Sequence, residues 1–240
     1  SAGPFAPVLS GTDFGFDFNP TVDRIRIVSD AEQNLRLNPD TGLVAATDTN
    51  LAPAGNVVAA AYVNNFAGAT STTLFDIDSG TDLLLTQNPP NNGTLNPVGP
   101  LGVDASGLTG FDIAPRGTAY ASITAPAGSA SSFYTLDLAT GTATLVGVVG
   151  GAEMLRDIAV QLHTEDAYGV SVAAGPVNRL VRFNPATPGT LTANNVVTGL
   201  QAGESILGID FRPATGELFA LGSTSRLYTL SRATVVATQV

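Results

Sequence analysis

The sequence predicts an all-β protein: one five-bladed β-propeller domain over residues 1–240, with four antiparallel strands per blade and about 48 residues per repeat. Three observations predict this fold. The composition is that of a turn-rich β-protein, with 44% hydrophobic and only 12% charged residues, 26 Gly and 15 Pro. A short phrase recurs along the whole chain at the spacing of propeller blades. A turn signal recurs with it.

The recurring phrase is glycine, an apolar residue, aspartate and a second apolar residue, as in "GFDF" at Gly15, "GFDI" at Gly110 and "GIDF" at Gly208. It aligns four aspartates, and Ala61 occupies the fifth equivalent position. The intervals between the five positions are 44, 51, 45 and 53 residues, and 47 residues separate the last from the first across the termini. The aligned aspartates are Asp17, Asp112, Asp157 and Asp210.

Each phrase is expected to form the innermost strand of a blade, because its apolar residues alternate with the aspartate as the two faces of a strand do. The predicted innermost strands lie near residues 14–19, 58–63, 110–114, 156–160 and 207–212. The predicted core residues on them are Phe16, Phe18, Tyr62, Phe111, Ile113, Ile158, Ile209 and Phe211.

The turn signal is an alternating apolar run that ends at a residue able to bond its own backbone two residues onward. These residues are Asn38, Asp78, Asp137, Asn184 and Ser231. A long β-sandwich is the alternative fold, but a sandwich has no reason to repeat a turn signal. A β-solenoid would have shorter and more regular coils.

The charge balance narrows the range of partners. The chain contains ten Arg and no Lys, against fifteen Asp and five Glu, which gives a net charge of -10. This surface repels phosphates, so we expect no nucleic-acid partner, and no apolar run is long enough to predict membrane insertion. Cysteine is absent, which excludes disulfides and thiolate metal sites. The first residue, Ser1, is compatible with signal-peptide removal or with trimming, and we expect a secreted protein, extracellular or on the cell surface.

Four long stretches carry a specific family resemblance: "GTDFGFDFNPTVDRIRIVSDAEQNLRLNPDTG", "NNFAGATSTTLFDIDS", "TQNPPNNGTLNPVG" and "GIDFRPATGELFALGSTSRLYTL". They resemble the DUF4394 family of bacterial proteins over nearly the whole chain. The resemblance implies a secreted or surface β-propeller-like domain, and it transfers no catalytic residue. In that family the "GIDFRPATG" unit precedes the "GTDFGFDFNP" unit. The resemblance therefore implies that this chain is circularly permuted, or is a segment of a longer or processed polypeptide.

The aligned aspartates are the main candidate site, because equivalent positions of five blades converge around one axis. Asp17, Asp112, Asp157 and Asp210 would repel one another there unless a hard cation such as Ca²⁺ lay among them. The predicted metal ligands are therefore these four carboxylates, with Ca²⁺ as the candidate cofactor. The structural alternative is that each aspartate accepts backbone N–H bonds within its own blade and holds the adjacent turn.

Two other candidates are weaker. The run "DIDSGTD" resembles a calcium loop, with Asp76, Asp78 and Asp82 as ligands, but it stands where a plain hairpin turn is predicted. The single histidine, His163, could act as a base but falls in a polar turn, where a solvated side chain is the simpler interpretation. No nucleophile elbow, zinc motif or phosphate loop occurs, and lysine chemistry is excluded.

These observations favour a non-enzymatic extracellular or cell-surface module with a structural, assembly or interaction role. Its candidate partners are further copies of itself, a glycan or another surface component. The alternatives are a Ca²⁺-dependent hydrolase and a propeller that binds a small ligand or carbohydrate. The last strand, near residues 235–240, is expected to close the fifth blade without exchanging a strand with the first.

Overall fold

A computed structural model describes residues 3–161, 166–172 and 178–240. It contains five four-stranded antiparallel sheets, each built from consecutive strands in the order of the chain. The strands are β1 (Phe14–Asn19), β2 (Arg24–Ser29), β3 (Asn34–Asn38), β4 (Leu43–Thr47), β5 (Val57–Tyr62), β6 (Leu74–Asp78), β7 (Leu83–Gln87), β8 (Leu95–Pro100), β9 (Thr109–Ile113), β10 (Ala119–Ile123), β11 (Ser132–Leu136), β12 (Ala143–Val148), β13 (Leu155–Val160), β14 (Ala167–Ser171), β15 (Arg179–Phe183), β16 (Leu191–Val196), β17 (Ile206–Phe211), β18 (Leu218–Gly222), β19 (Arg226–Leu230) and β20 (Ala237–Gln239).

The five sheets are the blades of a propeller, because their first strands pack side by side in a closed ring: β1, β5, β9, β13, β17 and again β1. The five-bladed prediction is confirmed, and each predicted innermost strand agrees with the structure within one residue. All eight predicted core residues are buried. The helical structure of the described chain consists of two short 3₁₀ turns, Pro90–Asn92 and Gly150–Ala152. No helix in the described ranges is long and apolar enough to cross a membrane.

The glycines of the repeated phrase allow neighbouring innermost strands to approach closely. A Cβ atom built on Gly15 would lie 2.7 Å from the Cβ of Ala60 on β5, and one built on Gly110 would lie 2.6 Å from the Cα of Asp157 on β13. Any larger residue would push the two strands apart. The phrase therefore encodes the narrow centre of the ring.

The predicted turn signal is confirmed in chemistry but not fully in position. The side-chain oxygens of Asn38, Asp78, Asp137 and Asn184 each accept the backbone N–H two residues onward, and Ser231 Oγ accepts that of Thr234. Four of the turns join the third and fourth strands of their blades. Asp78 instead ends β6, the second strand of the second blade. Asp78 was therefore wrongly predicted to be equivalent to the other four turn residues. The long connection at residues 63–73 displaces the second strand of that blade along the sequence.

The ring closes without strand exchange, as predicted, because blade five contains only β17 to β20 and blade one only β1 to β4. Ion pairs stabilise the seam between the fifth and first blades. The Arg212 guanidinium contacts the Asp23 carboxylate and, at 2.7 Å, the Asp40 carboxylate. The N-terminal segment also crosses it. Phe5 is buried in a cluster of apolar residues from both blades, and its N–H donates to Ser225 O at 2.7 Å. The N-terminal segment thus takes the place of an exchanged strand.

Candidate functional site

The four aligned aspartates lie on the innermost strands, and all are buried at the centre of the ring. Asp112, Asp157 and Asp210 each accept two backbone N–H groups, one from the following residue and one from the innermost strand of the next blade. For Asp157 these donors are Ile158 N at 2.9 Å and Ile209 N at 2.8 Å. The carboxyl groups therefore join blades to one another, a role wider than the bonding within one blade that the sequence suggested.

The first and second blades complete this pattern differently. Asp17 accepts the Tyr62 N–H of the second blade at 2.8 Å through Oδ2, while its Oδ1 accepts no hydrogen bond. Phe18 N in turn donates to Asp210 of the fifth blade at 2.8 Å. Ala61 has no side-chain acceptor, so no equivalent carboxyl bridges the second and third blades.

Burial raises the pKa of all four carboxyl groups. The pKa of Asp112 rises to about 7, and those of Asp157 and Asp210 are also raised, mainly by burial and then by neighbouring carboxyls. Burial and the Coulombic repulsion from Asp210 and Asp112 raise the pKa of Asp17, whose carboxyl also hydrogen-bonds to that of Asp210. A hydrogen bond between two carboxyls needs a proton on one of them, so this pair is not doubly ionised while the bond is made.

The centre of the ring is therefore a cluster of hydrogen-bonded carboxyls with much of its acceptor capacity engaged by backbone N–H groups. Among the residues that the structure describes, no three acidic or histidine side chains are grouped as ligands of one metal ion. Binding of Ca²⁺ by Asp17, Asp112, Asp157 and Asp210 remains a prediction, and it would require Ca²⁺ to displace the shared proton.

The acidic run in the second blade has three separate environments. Asp78 Oδ1 accepts the N–H groups of Gly80 and Thr81 in the β6–β7 turn. Asp82 accepts the N–H of Ala105 at 2.8 Å, whereas Asp76 is buried within the blade with neither carboxyl oxygen bonded. The tight-turn interpretation of this run is confirmed. His163 lies outside the described residues.

A surface site that the sequence analysis missed covers one end of the axis. It is formed by the connections between the first and second strands of the blades, and we name it the first-turn face: residues 20–23, 63–73, 114–118 and 212–217. Pro20, Pro115 and Pro213 each stand three residues after an aligned aspartate and so come to this face together. That shared spacing was the sequence signal that could have revealed it.

Two clefts indent the first-turn face. One, of about 340 Å³, lies between Phe66, Pro115 and Pro213. The other, of about 400 Å³, lies between residues 20–23 and two residues, Pro213 and Ala214, that also line the first cleft. Ala67 is shared by both clefts as well. The long connection of the second blade therefore reaches across the axis to the first, third and fifth blades.

The clefts are largely apolar and charge-neutral. Phe66 is 46% exposed and Val22 is 55% exposed, unusually high values for large apolar side chains. The acidic group in the lining is Asp23, whose carboxylate is paired with Arg212. Because proline fixes its own backbone angle, the walls formed by Pro20, Pro115 and Pro213 are set before any ligand arrives.

Comparison with known proteins agrees with this architecture. A sequence model of the family described as "Domain of unknown function (DUF4394)" matches residues 1–159 and 179–240. No curated protein sequence is significantly similar. Solved structures with a similar fold include a chain of a nidogen/laminin complex, with 15% identity and a TM-score of 0.59 over 93% of this chain and 77% of that one.

Two of the similar structures are of enzymes. A gluconolactonase from Xanthomonas campestris shares 11% identity, with a TM-score of 0.56 over 96% of this chain and 76% of its own. An exo-β-1,3-galactanase from Phanerochaete chrysosporium shares 12% identity, with a TM-score of 0.65 over 100% of this chain and 65% of its own. At such identities the similarity shows a common fold, on which unrelated functions occur.

Proposed function

The chain belongs to the DUF4394 family, and from that premise we propose that it is a non-enzymatic extracellular interaction module that binds an uncharged glycan on its first-turn face. The observation that carries this proposal is the pair of adjoining clefts beside the exposed Phe66 ring. Their volumes, about 340 and 400 Å³, are in the range of small-ligand sites. The four aligned aspartates are buried in the ring, and none of them lines either cleft.

Charge and chemistry together support a neutral sugar as the ligand. The chain's net charge of -10 repels anions, and Arg212 already neutralises Asp23, which leaves little attraction for a cationic ligand. Apolar walls at Phe66 and Pro213 suit the C–H faces of a sugar ring. The hydroxyls of Thr21 and Thr215, which line the clefts, can bond to sugar hydroxyls.

We expect the variant Phe66→Ala to weaken glycan binding by about tenfold or more, because truncating a central aromatic contact in an interface typically costs over 1 kcal/mol. An array of uncharged oligosaccharides identifies the ligand, and calorimetric titration then measures the affinities of wild type and variant. Leu43→Ala is the matched control, since Leu43 is also about half exposed but lies on the outer strand β4.

Equal affinities for Phe66→Ala and wild type would contradict the proposed site. Failure of every uncharged oligosaccharide to bind would contradict the proposed ligand class. Chromatography of the incubated sugars provides the remaining readout: appearance of cleavage products would overturn the non-enzymatic assignment.

A second candidate function, a Ca²⁺-dependent hydrolase, is favoured by the Oδ1 atom of Asp17, which accepts no hydrogen bond and belongs to the carboxyl paired with that of Asp210. It predicts micromolar Ca²⁺ binding that is abolished both in Asp112→Asn and in Asp210→Asn. Calorimetric titration of Ca²⁺ into chelator-treated protein measures this directly. An absence of binding heat at neutral pH would leave the four carboxyls with their structural role alone.

A further inference from the structure

The outer strand of the third blade, β12, has three consecutive exposed residues at its centre, so both of its faces are exposed there. Leu145 is 58% exposed, and its neighbours Thr144 and Val146 are exposed as well, as is Val148. In β4, the outer strand of the first blade, exposed and half-buried residues alternate instead. Apolar side chains on both faces of β12 therefore stand clear of the neighbouring blades.

The backbone of β12 is also open along one edge. It is the last strand of its sheet, paired with β11 on one side, and no strand of the described chain pairs with its other side. Its ends are held in place: Ala143 N donates to Leu101 O, and Gly150 N, just beyond the strand, donates to Pro188 O. The free edge is thus a pre-ordered row of backbone donors and acceptors, interrupted by the bulge at Val146.

Two of the usual protections of an edge strand, charged side chains and proline, are missing here, although β12 carries a bulge at Val146. No charged residue occurs between Asp137 and Glu153, and β12 contains no proline. By comparison, β8 carries Pro97 and Pro100, and β20 is only three residues long and lies beside a bridge between Thr198 and Val236. The strand β16 is uncharged too, but its second half contains the polar pair Asn194 and Asn195.

We propose that β12 pairs antiparallel with β12 of a second copy of this chain about a two-fold axis, so that two blades form one eight-stranded sheet. A second copy fits because an uncharged apolar strand is complementary to itself, and two identical edges meet symmetrically in an isologous dimer. The local neutrality matters, since any charge on the strand would face its own copy in a chain of net charge -10. This interface is separate from the first-turn face and does not depend on the proposed glycan.

Sedimentation and light scattering over a concentration series should show a monomer–dimer equilibrium. Its dissociation constant should fall as salt rises, because screening reduces the repulsion between two acidic chains. Leu145→Lys should raise the dissociation constant by about tenfold or more, since the two-fold axis brings two like charges close together. Leu43→Lys, at a side chain 51% exposed on β4, introduces the same charge and should leave the equilibrium unchanged.

Cysteine substitution provides a second readout that does not depend on weakening the dimer. The chain has no cysteine, so Leu145→Cys and Leu43→Cys each carry a single thiol. Under mild oxidation, Leu145→Cys should form a disulfide-linked dimer much faster than Leu43→Cys. A monomer at every concentration, a dimer unaffected by Leu145→Lys, or equal cross-linking of the two cysteine variants would overturn the proposal.

Discussion

Raising the pH from about 5 to about 9 is expected to lower the free energy of unfolding by several kcal/mol, and Asp76 is one of the carboxyls that cause this loss. Asp76 is fully buried on β6, and neither of its oxygens accepts a hydrogen bond. Burial raises the pKa of this carboxyl from its ordinary value of 3.8 to about 8. On the neighbouring strand, Gln87 Oε1 is a second buried acceptor without a donor. The folded state therefore favours the neutral acid at this position.

Stability falls as the pH rises because the pKa of Asp76 is raised on folding. A group whose folded pKa is raised contributes stability that is complete below its unfolded pKa and is lost as the pH rises through its folded pKa. For Asp76 that window runs from about 4 to about 8, and the loss above pH 5 is on the order of 4 kcal/mol. Asp112, with a pKa raised by burial to about 7, adds to it in the same direction.

An opposing contribution exists but lies outside this pH range. Burial raises the pKa of Asp48, but hydrogen bonds and charge from Arg36 and Arg26 outweigh it and lower the pKa below 3.8. The stability from this group is lost only as the pH falls through its folded pKa. Between pH 5 and 9 the buried carboxyls with raised pKa values therefore determine the trend.

Thermal unfolding between pH 5 and 9 measures the effect, with Asp76→Asn as the diagnostic variant. The amide cannot ionise, so the variant should resemble wild type near pH 5 and exceed its melting temperature near pH 9. Asp104→Asn, at an exposed aspartate, removes the same formal charge and should leave the slope of stability against pH unchanged. A wild-type melting temperature that is constant across the range, or an equal slope in Asp76→Asn, would contradict the expectation.

The variant Phe5→Ala is expected to lose about 3 to 5 kcal/mol of stability, the usual cost of truncating a buried phenylalanine. Phe5 is only 1% exposed and packs with Phe219 and Leu227 of the fifth blade and with Phe14 of the first. No strand is exchanged across this seam, so the N-terminal segment is the principal apolar connection added to the packing of β1 on β17. Removing the ring should loosen that closure as well as leave a cavity.

Val8→Ala is the matched control in the same segment, because Val8 is 62% exposed. Denaturant unfolding monitored by circular dichroism gives both free energies, and hydrogen exchange locates the change. We expect the amides of β1 and β17 to exchange faster in Phe5→Ala than in Val8→Ala. Equal unfolding free energies for the two variants would show that the N-terminal segment does not fasten the ring.

The number of blades, their innermost strands and most of their turns could be predicted from the sequence, because those signals are local. The alternation of Phe16, Asp17 and Phe18 shows a strand with two distinct faces, and the Asn38 side chain forms its turn with a backbone N–H only two residues away. Each such signal lies within a few residues and repeats about every 48 residues. The Asp78 turn was assigned to the wrong strand because loop length, unlike turn chemistry, is not repeated.

The contacts that those residues make could not be predicted in the same way, because they depend on how the chain folds. The bond from Ile209 N to Asp157 joins strands 52 residues apart, and the burial of Asp76 depends on neighbouring strands and blades. The clefts likewise unite Pro20, Phe66 and Pro213, which are distant in sequence. Such contacts depend on how the blades pack around the ring, and no local periodicity specifies that packing. The exposure of β12 could not be predicted from the sequence for the same reason, since burial of an outer strand depends on the blades beside it.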